Sequence, residues 1–521
     1  MRQAFAGCIL LKSHVTTRVI PLPSFAEILL DAQIAAQSLA DYVSGRALRL
    51  GVTGLSRAGK TIFITAMAQH LTLAARMAAL KQKNPLPVFR VHAEGRLARA
   101  FLEPQPDDDV PRFAYEDHLA ALTGPGGNSD ERSWPASTKR ISELRLTLEF
   151  ERKAGFRKGP AELAIDIVDY PGEWLLDLPL LGKSFATWSR ETLAASQTPA
   201  RVKLAADWRA YVTGLEAKAP AQEEQAQKAA ALFKTYLALC RQEPFGLSTL
   251  PPGRFLMPGE LEGSPALTFS PLPLDEGFDY LPHSLAAMME RRYEAYKARV
   301  VRPFFRDHFA RLDRQIVLVD ALAALNAGPA AVHDLEAALG GVLQAFRTGR
   351  TSLISTLLRP KIDKILFAAT KADHLNHVNH ERLEAILRYL TARAIARAES
   401  LGARVDVIAL AAVRATREAK VNDRGGAPLA AVVGTPLAGE KINGETFDGQ
   451  TEVAIFPGEL PQDPEAVFRG DGMPKTAEQA DYRFLRFRPP IAQRDAAGMA
   501  LPLPHIRLDR ALQFLLGDRL T

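Results

Sequence analysis

The sequence predicts an α/β protein built on a mostly parallel sheet, and three observations carry that prediction. A short apolar segment, residues 47–53, runs into a glycine-containing loop and then into a long amphipathic stretch at residues 62–81. That is the order strand, loop, helix. Leu144, Leu146, Leu148 and Phe150 alternate with Arg145, Thr147, Glu149 and Glu151, the period-two pattern of a half-buried strand. The turn at residues 153–159 leads into a second strand at 163–169, so the pair reads as an antiparallel hairpin. Further apolar runs at 315–321, 365–370 and 405–410 alternate with helical segments. That alternation implies parallel pairing beneath helices on both faces of the sheet.

Other segments follow in chain order. Residues 24–44 have apolar side chains at helical spacing and stop at Gly45, a suitable C-cap. Residues 82–140 are rich in Pro, Gly and acid, and are expected to form loops and short elements. Residues 184–312 carry Ala-rich helical stretches at 223–241 and 284–310 around a Pro/Gly-rich stretch at 244–282. Between 422 and 504 Gly and Pro are dense, with short strands expected at 452–456 and 482–488. An amphipathic helix is expected at 506–516.

Composition bounds the class. The 521 residues exceed what one hydrophobic core usually supports, so two to four structural units are expected. At 47% hydrophobic and 24% charged, the chain is neither disordered nor fibrous. No apolar run approaches the ~18 residues that a membrane-spanning helix needs. The first 21 residues have an apolar patch without a convincing cleavage site. Cys8 and Cys240 cannot build a disulfide framework and fit a reducing, cytoplasmic compartment. A net charge of +6 is small for this length, so no nucleic-acid partner is expected.

Three short motifs carry chemistry. Gly54-Leu-Ser-Arg-Ala-Gly-Lys-Thr61 matches G-x-x-x-x-G-K-[ST], a loop of backbone N–H groups at a helix N-terminus that cradles phosphate oxygens. Gly54, Ser56, Arg57, Ala58 and Gly59 would form the cradle. Lys60 would reach the β- and γ-phosphates, and the Thr61 hydroxyl would hold Mg2+. The plainer alternative is a turn with a solvent-facing lysine. Asp169-Tyr-Pro-Gly172 ends a buried strand. There an aspartate can hold Mg2+ through water and the Gly172 N–H can sense a γ-phosphate, with Asp166 as the competing carboxylate. Thr370-Lys-Ala-Asp373 follows another strand. Asp373 would accept from guanine N1–H and the 2-amino group, which adenine cannot offer, and the Lys371 stem would pack along the base. A motif of this kind arises by chance in roughly one chain in six of this size. Its weight therefore rests on its place after a strand and third in order.

The ordered set resembles the P-loop GTPases. Trp134-Pro-Ala-Ser-Thr138, Asp169-Tyr-Pro-Gly-Glu-Trp-Leu-Leu176 and Leu503-Pro-His-Ile-Arg-Leu508 narrow the resemblance to the bacterial YcjX-like family, over nearly the whole chain from about Ser24. The resemblance implies a Ras-like P-loop NTPase domain with a large helical insertion and a C-terminal Gly/Pro-rich region with short strands. Residues 1–22 lie outside the resemblance and are expected as a disordered lead-in, with 23–183 as the first part of the GTPase domain and an insertion at about 82–140. Residues 184–312 are then the helical insertion, 313–421 the second part of the GTPase domain, 422–504 a second insertion and 505–521 a closing helix. It further implies GTP or GDP with Mg2+, and slow, switch-type hydrolysis in a stress-related or membrane-linked process. A membrane-protein partner of the YcjF type would bring the chain to the inner membrane.

Family roles carry over residue by residue. Thr138 stands where a Ras-like threonine closes over Mg2+, with Ser137 as its rival. Glu173 stands where Ras-like enzymes have the glutamine that orients water, and its charge would be repelled by a γ-phosphate unless it is turned away. Ala411-Ala-Val413 replaces the usual Ser-Ala-Lys, so Ala412 and Val413 offer the base only backbone N–H groups. Arg57 is at the third variable loop position, as in the guanylate-binding proteins, where an arginine could neutralise transition-state charge. It could equally point outward from the loop rim. His374, His377 and His380, at i, i+3 and i+6, would spread over ~120° of a helix and could not easily share one metal. Two other classes of function stay open: a nucleotide-binding scaffold without useful hydrolysis, and an ATP-using P-loop enzyme.

Overall fold

The computed structural model describes residues 47–521 except 56, 80–83, 154–158, 243–244, 346–361, 423–427, 443, 470–481, 483, 496–497 and 499. The helix expected at 24–44 and the lead-in 1–22 therefore lie outside the described residues, as does Ser56.

Seven strands form one sheet: β1 (Ala47–Gly54), β2 (Leu97–Glu103), β3 (Ser142–Arg152), β4 (Gly159–Asp169), β5 (Arg314–Val319), β6 (Lys364–Ala369) and β7 (Arg404–Ala409). Their order is β2-β3-β4-β1-β5-β6-β7. β1 pairs parallel with β4 and β5, and β5–β6–β7 continue in parallel, while β2, β3 and β4 are antiparallel neighbours. The side-chain alternation explains the layering. Leu50, Val52, Ile165, Ile167, Ile316, Leu318 and Leu366 fill a core on one face, whereas Val168, Val317, Val319, Phe367 and Val407 fill a core on the other. A parallel sheet needs both faces covered, and it has them.

The first face is covered by the helix Lys60–Ala79 and by Leu508–Leu516, which buries Leu508, Ala511, Leu512, Leu515 and Leu516. Cutting one such leucine to alanine would cost about 2–5 kcal/mol. Fully buried Arg314 at the start of β5 joins Asp518 at 2.7 Å beyond that helix. The other face carries residues 184–312. Their helix Glu223–Arg241 buries Ala226, Ala229, Ala230, Phe233, Tyr236, Leu237 and Cys240, a single stripe at helical spacing. Trp208 stacks on Tyr236 (centroids 5.3 Å apart) and Trp188 on Tyr293 (5.0 Å). Burial pushes the Cys240 thiol up to about 11, so this cysteine is an inert core residue.

Two expectations need correction, at 482–488 and at 284–310. Residues 82–140, as far as they are described, form loops and short elements. They contain β2, an edge strand with Phe101 opposite Thr147 and Leu102 opposite Leu146, and the helix Tyr115–Thr123. Among the described residues of 482–488 the pairing is one bridge, Phe487 to Pro436, flanked by bonds from the Leu437 N–H to the Arg486 oxygen and from the Arg488 N–H to the Thr435 oxygen, 2.8 Å each. The bonds of that bridge fall on either side of Pro436, and beyond Thr435 the strand Pro428–Gly434 already has a neighbour on each edge, while Pro489 and Pro490 follow directly on the other side. The helix expected at 284–310 is divided into Leu285–Tyr296, a wider turn at Lys297–Val301 and Arg302–Asp307, with Pro303 in the first turn of the last piece. Proline lacks the N–H that would continue the earlier hydrogen-bond register. The strand expected at 452–456 is present as Val453–Ile455, in a separate three-stranded sheet with Arg417–Asn422 and Pro428–Gly434.

The register fixes where the strands end. Gly51 lies opposite Val168, Gly54 opposite Leu318, and Val319, Ala369 and Ala409 lie side by side. The residues leaving β1, β4, β5, β6 and β7 therefore emerge along one edge of the sheet. Open parallel sheets bind ligands at the carboxyl ends of their strands.

Candidate functional site

At that edge β1 turns into the loop 55–59 and then into the helix Lys60–Ala79. The turn is tight enough to put Arg57 (φ 63°) and Gly59 (φ 85°) in the left-handed region, which costs little at glycine and more at arginine. The first N–H groups of a 20-residue helix thus open toward the cleft. Lys60 is buried, and its Nζ donates to the Gly54 carbonyl oxygen at 3.0 Å. Burial pushes its ammonium below the usual range. The Asp169 and Glu173 carboxylates oppose that shift, while Arg241 adds to it.

Thr61, Thr138 and Asp169 converge. The two threonine hydroxyls lie 3.0 Å apart, and Thr138 donates to Asp169 Oδ2 at 2.6 Å. Asp169 Oδ1 is buried without a hydrogen-bond partner. Burial pushes the carboxyl up, opposed first by Lys60 and then by Thr138. A buried carboxylate oxygen lacking a donor, with two hydroxyls beside it, is an oxygen donor set that suits a hard divalent cation. Asp166 is engaged elsewhere, held by Arg145 through two hydrogen bonds of 2.6 and 2.9 Å. Ser137 lines the cleft beside Thr138 without making the contact to Asp169.

Gly172 is pressed onto the loop. A Cβ there would lie 2.3 Å from the Gly54 carbonyl oxygen and 2.8 Å from Lys60 Nζ. Glu173 is paired with a cation from another segment: Oε1 is 2.5 Å from Arg241 Nη2. Residues Gly172–Gly182 run as a 3-10 helix fastened to residues 253–296. The Gly253 N–H donates to Asp177 Oδ1 at 2.7 Å and the Tyr296 hydroxyl to Asp177 Oδ2 at 2.6 Å. Burial pushes the Asp177 carboxyl up to about 6 against those two donors. Trp174 Nε1 donates to the Met257 carbonyl oxygen at 3.0 Å, and the Arg254 guanidinium lies 3.1 Å above the Trp174 ring.

At the far end of the cleft Lys371 has φ 60°, and its Nζ lies 2.5 Å from Asp320 Oδ2, at the end of β5. Asp373 is buried, and its Oδ2 accepts from the Ala415 N–H at 2.8 Å while its carbonyl oxygen accepts from the Thr416 hydroxyl. Residues 411–413 are held by the segment before the final helix, through a reciprocal Ala411–Ile506 pair (3.1 and 2.8 Å) and an Arg414 N–H to Pro504 oxygen bond of 2.6 Å. The three histidines do not share a helix face. His374 meets the Phe487 ring edge-on, His377 pairs with Glu418, and His380 Nε2 contacts the Ala372 carbonyl oxygen at 2.9 Å. Among the described residues no group of three or more His, Cys, Asp or Glu is placed to hold a metal.

Arg57, Ala58, Gly59, Lys60, Thr61, Thr138, Gly172, Glu173, Thr370, Lys371, Asp373, Ala412 and Val413 all line one cleft of about 270 Å³. Gly54 and Asp169 lie just behind its wall, and Arg57 is exposed at the rim. Residues that the motifs missed complete the cleft. Phe487 closes the end of the cleft lined by Asp373 and His374, and its carbonyl oxygen takes a 2.6 Å hydrogen bond from Trp134 Nε1. Asp320, an aspartate directly after a buried strand, carried a usable signal, whereas Phe487 lies in a segment with no motif.

No helix of the described residues is long and apolar enough to cross a membrane. The sequence model of the YcjX-like family, DUF463, matches residues 48–520. A protein of Escherichia coli (strain K12) named "Ras-like GTPase YcjX" is 39% identical over 487 residues, covering 91% of this chain and 96% of the relative. One of the same name from Shewanella oneidensis is 34% identical over 498 residues, covering 93% and 97%. With a match over nearly all of its length and relatives alike from end to end, the chain belongs to the YcjX-like family.

Proposed function

We propose that this chain is a Ras-like P-loop protein that binds guanine nucleotide and hydrolyses GTP to GDP and phosphate with Mg2+. The observation that carries the reading is the meeting of three motifs, separated by more than a hundred residues each, along one cleft at the carboxyl edge of the sheet. The names of the two relatives support the same reading. In it the helix N-terminus and Lys60 bind the phosphates, and Thr61, Thr138 and Asp169 hold the cation, directly or through water. Mg2+, when bound, neutralises charge on the phosphate oxygens. Asp373 offers Oδ1 and the remaining lone pair of Oδ2 to the guanine edge while the Ala415 N–H steadies Oδ2, and the Ala412 and Val413 N–H groups and the Lys371 stem complete the base site.

With Glu173 paired to Arg241, water orientation by that position in the Ras manner is not part of the reading. Charge stabilisation is assigned to Arg57 in the loop. The Gly172 N–H senses the terminal phosphate. Residues 23–183 and 313–421 are the two parts of the GTPase domain, with 184–312 as the helical insertion. A YcjF-type partner at the inner membrane and a stress-related role are carried by family membership alone.

The test is nucleotide analysis of the purified protein, with GTP and ATP turnover measured side by side. Bound guanine nucleotide and turnover of GTP only are expected, and Lys60→Ala should abolish binding in a calorimetric titration. ATP bound as tightly as GTP would overturn the guanine assignment. GTP binding without turnover would leave a scaffold.

A further inference from the structure

Glu173 is a buried carboxylate in an awkward place. It follows Gly172, whose backbone touches the loop and the end of Lys60, and its side chain is 6% exposed. It lines both the cleft and a second cavity of about 340 Å³ that adjoins it. Its main chain cannot swing aside, because Gly253 packs so closely that a Cβ on it would lie 1.7 Å from the Glu173 carbonyl oxygen. The next residue, Trp174, is held by Met257, Arg254 and Phe304. A fixed carboxylate beside the end of the phosphate-binding lysine repels a terminal phosphate, and partial burial strengthens that repulsion.

The cation that answers it comes from outside the sheet. Arg241 is the last residue of the helix Glu223–Arg241, and its Nη2 lies 2.5 Å from Glu173 Oε1. We propose that Arg241 is a positioning residue that neutralises Glu173 and so lets the site accept a nucleoside triphosphate over a diphosphate, which makes residues 184–312 part of the triphosphate-sensing device. The inference rests on the nucleotide-site reading above and deepens it. It assigns the discrimination of the third phosphate to an ion pair between two segments, in addition to the loop itself. Arg241 acts through Glu173, and no contact between Arg241 and nucleotide is invoked.

The experiment measures the affinities of a non-hydrolysable GTP analogue and of GDP for wild type, Arg241→Ala, Glu173→Gln and the double variant. Circular dichroism and melting curves check each fold. For Arg241→Ala the ratio of analogue to GDP affinity should fall at least roughly tenfold, as expected when one partner of a desolvated charge pair is removed. The double variant should recover to within about threefold of wild type, because the uncompensated charge is gone. A merely structural arginine would give no such rescue. An unchanged ratio in Arg241→Ala, or a double variant as poor as the single, overturns the inference while GDP binding leaves the site reading standing. Wild type that binds neither nucleotide overturns the site reading, and the inference with it.

Discussion

Gly172 stands where no other residue fits: its α-carbon faces the Gly54 carbonyl oxygen so closely that a methyl group would come within 2.3 Å of it. The contact joins the end of the first strand to the turn after the fourth strand. Lys60 Nζ, 2.8 Å from where that methyl group would sit, lies between them.

Gly172→Ala should therefore push the loop and Lys60 out of place. Overpacking of this kind costs about 1–3 kcal/mol, and nucleotide affinity should fall roughly tenfold or more. Thermal melting and calorimetric titration read the two effects. Wild-type affinity in this variant would mean that the turn after Asp169 is not coupled to the loop.

Asp373→Asn replaces an acceptor pair with one acceptor and one donor, which mismatches guanine and suits xanthine. Preference should move from guanine to xanthine nucleotides in a competition assay with fluorescent diphosphates. The Ala415 N–H that now donates to Oδ2 limits how the new amide can turn, so a general loss of binding without xanthine gain would contradict the assigned role.

Arg57→Ala tests the loop arginine. GDP affinity should stay within about tenfold of wild type, while single-turnover GTP hydrolysis should drop by about 10² or more. Equal rates would leave Arg57 as a rim residue, consistent with its exposure, and would require a cation from elsewhere.

His70 lies in the helix that begins at Lys60, with its ring centroid 4.8 Å from that of His505. Burial, aided by the His505 charge, pushes its imidazole down to about 3. The unfolded chain takes up that proton near pH 6.5 and the folded chain only near 3, so stability falls as pH drops through that window. At pH 4.5 the cost is about 2–3 kcal/mol. His70→Leu should flatten the loss of melting temperature between about pH 7 and 4.5. Parallel melting curves of variant and wild type across that range would place the acid sensitivity elsewhere.

How much of the fold and site the residues reveal depends on distance along the chain. The strand, loop and helix at 47–81 and the hairpin ending at Asp169 are local patterns, and the order of the strands put their motifs on one edge. The Glu173–Arg241 pair, the Trp134–Phe487 contact and the seat of Ala411 on Ile506 join segments with no periodic or motif relation, so only tertiary packing reveals them. The strand expected at 482–488 has the right side chains but reaches residues 435–437, just beyond a strand already paired on both edges. β2 was hidden for the opposite reason. Most of its side chains are partly or fully exposed at the sheet edge, so its apolar alternation is weak.

The seating of residues 411–413 on 504–506, together with Phe487 at the end of the cleft lined by Asp373 and His374, has a consequence for synthesis. A ribosome makes the glycine loop early, while the walls that would close over a base are still untranslated. The cleft is completed only when residues near 487 and 506 have emerged and folded back. A chain that stalls or is cut upstream of them carries the glycine loop without those walls.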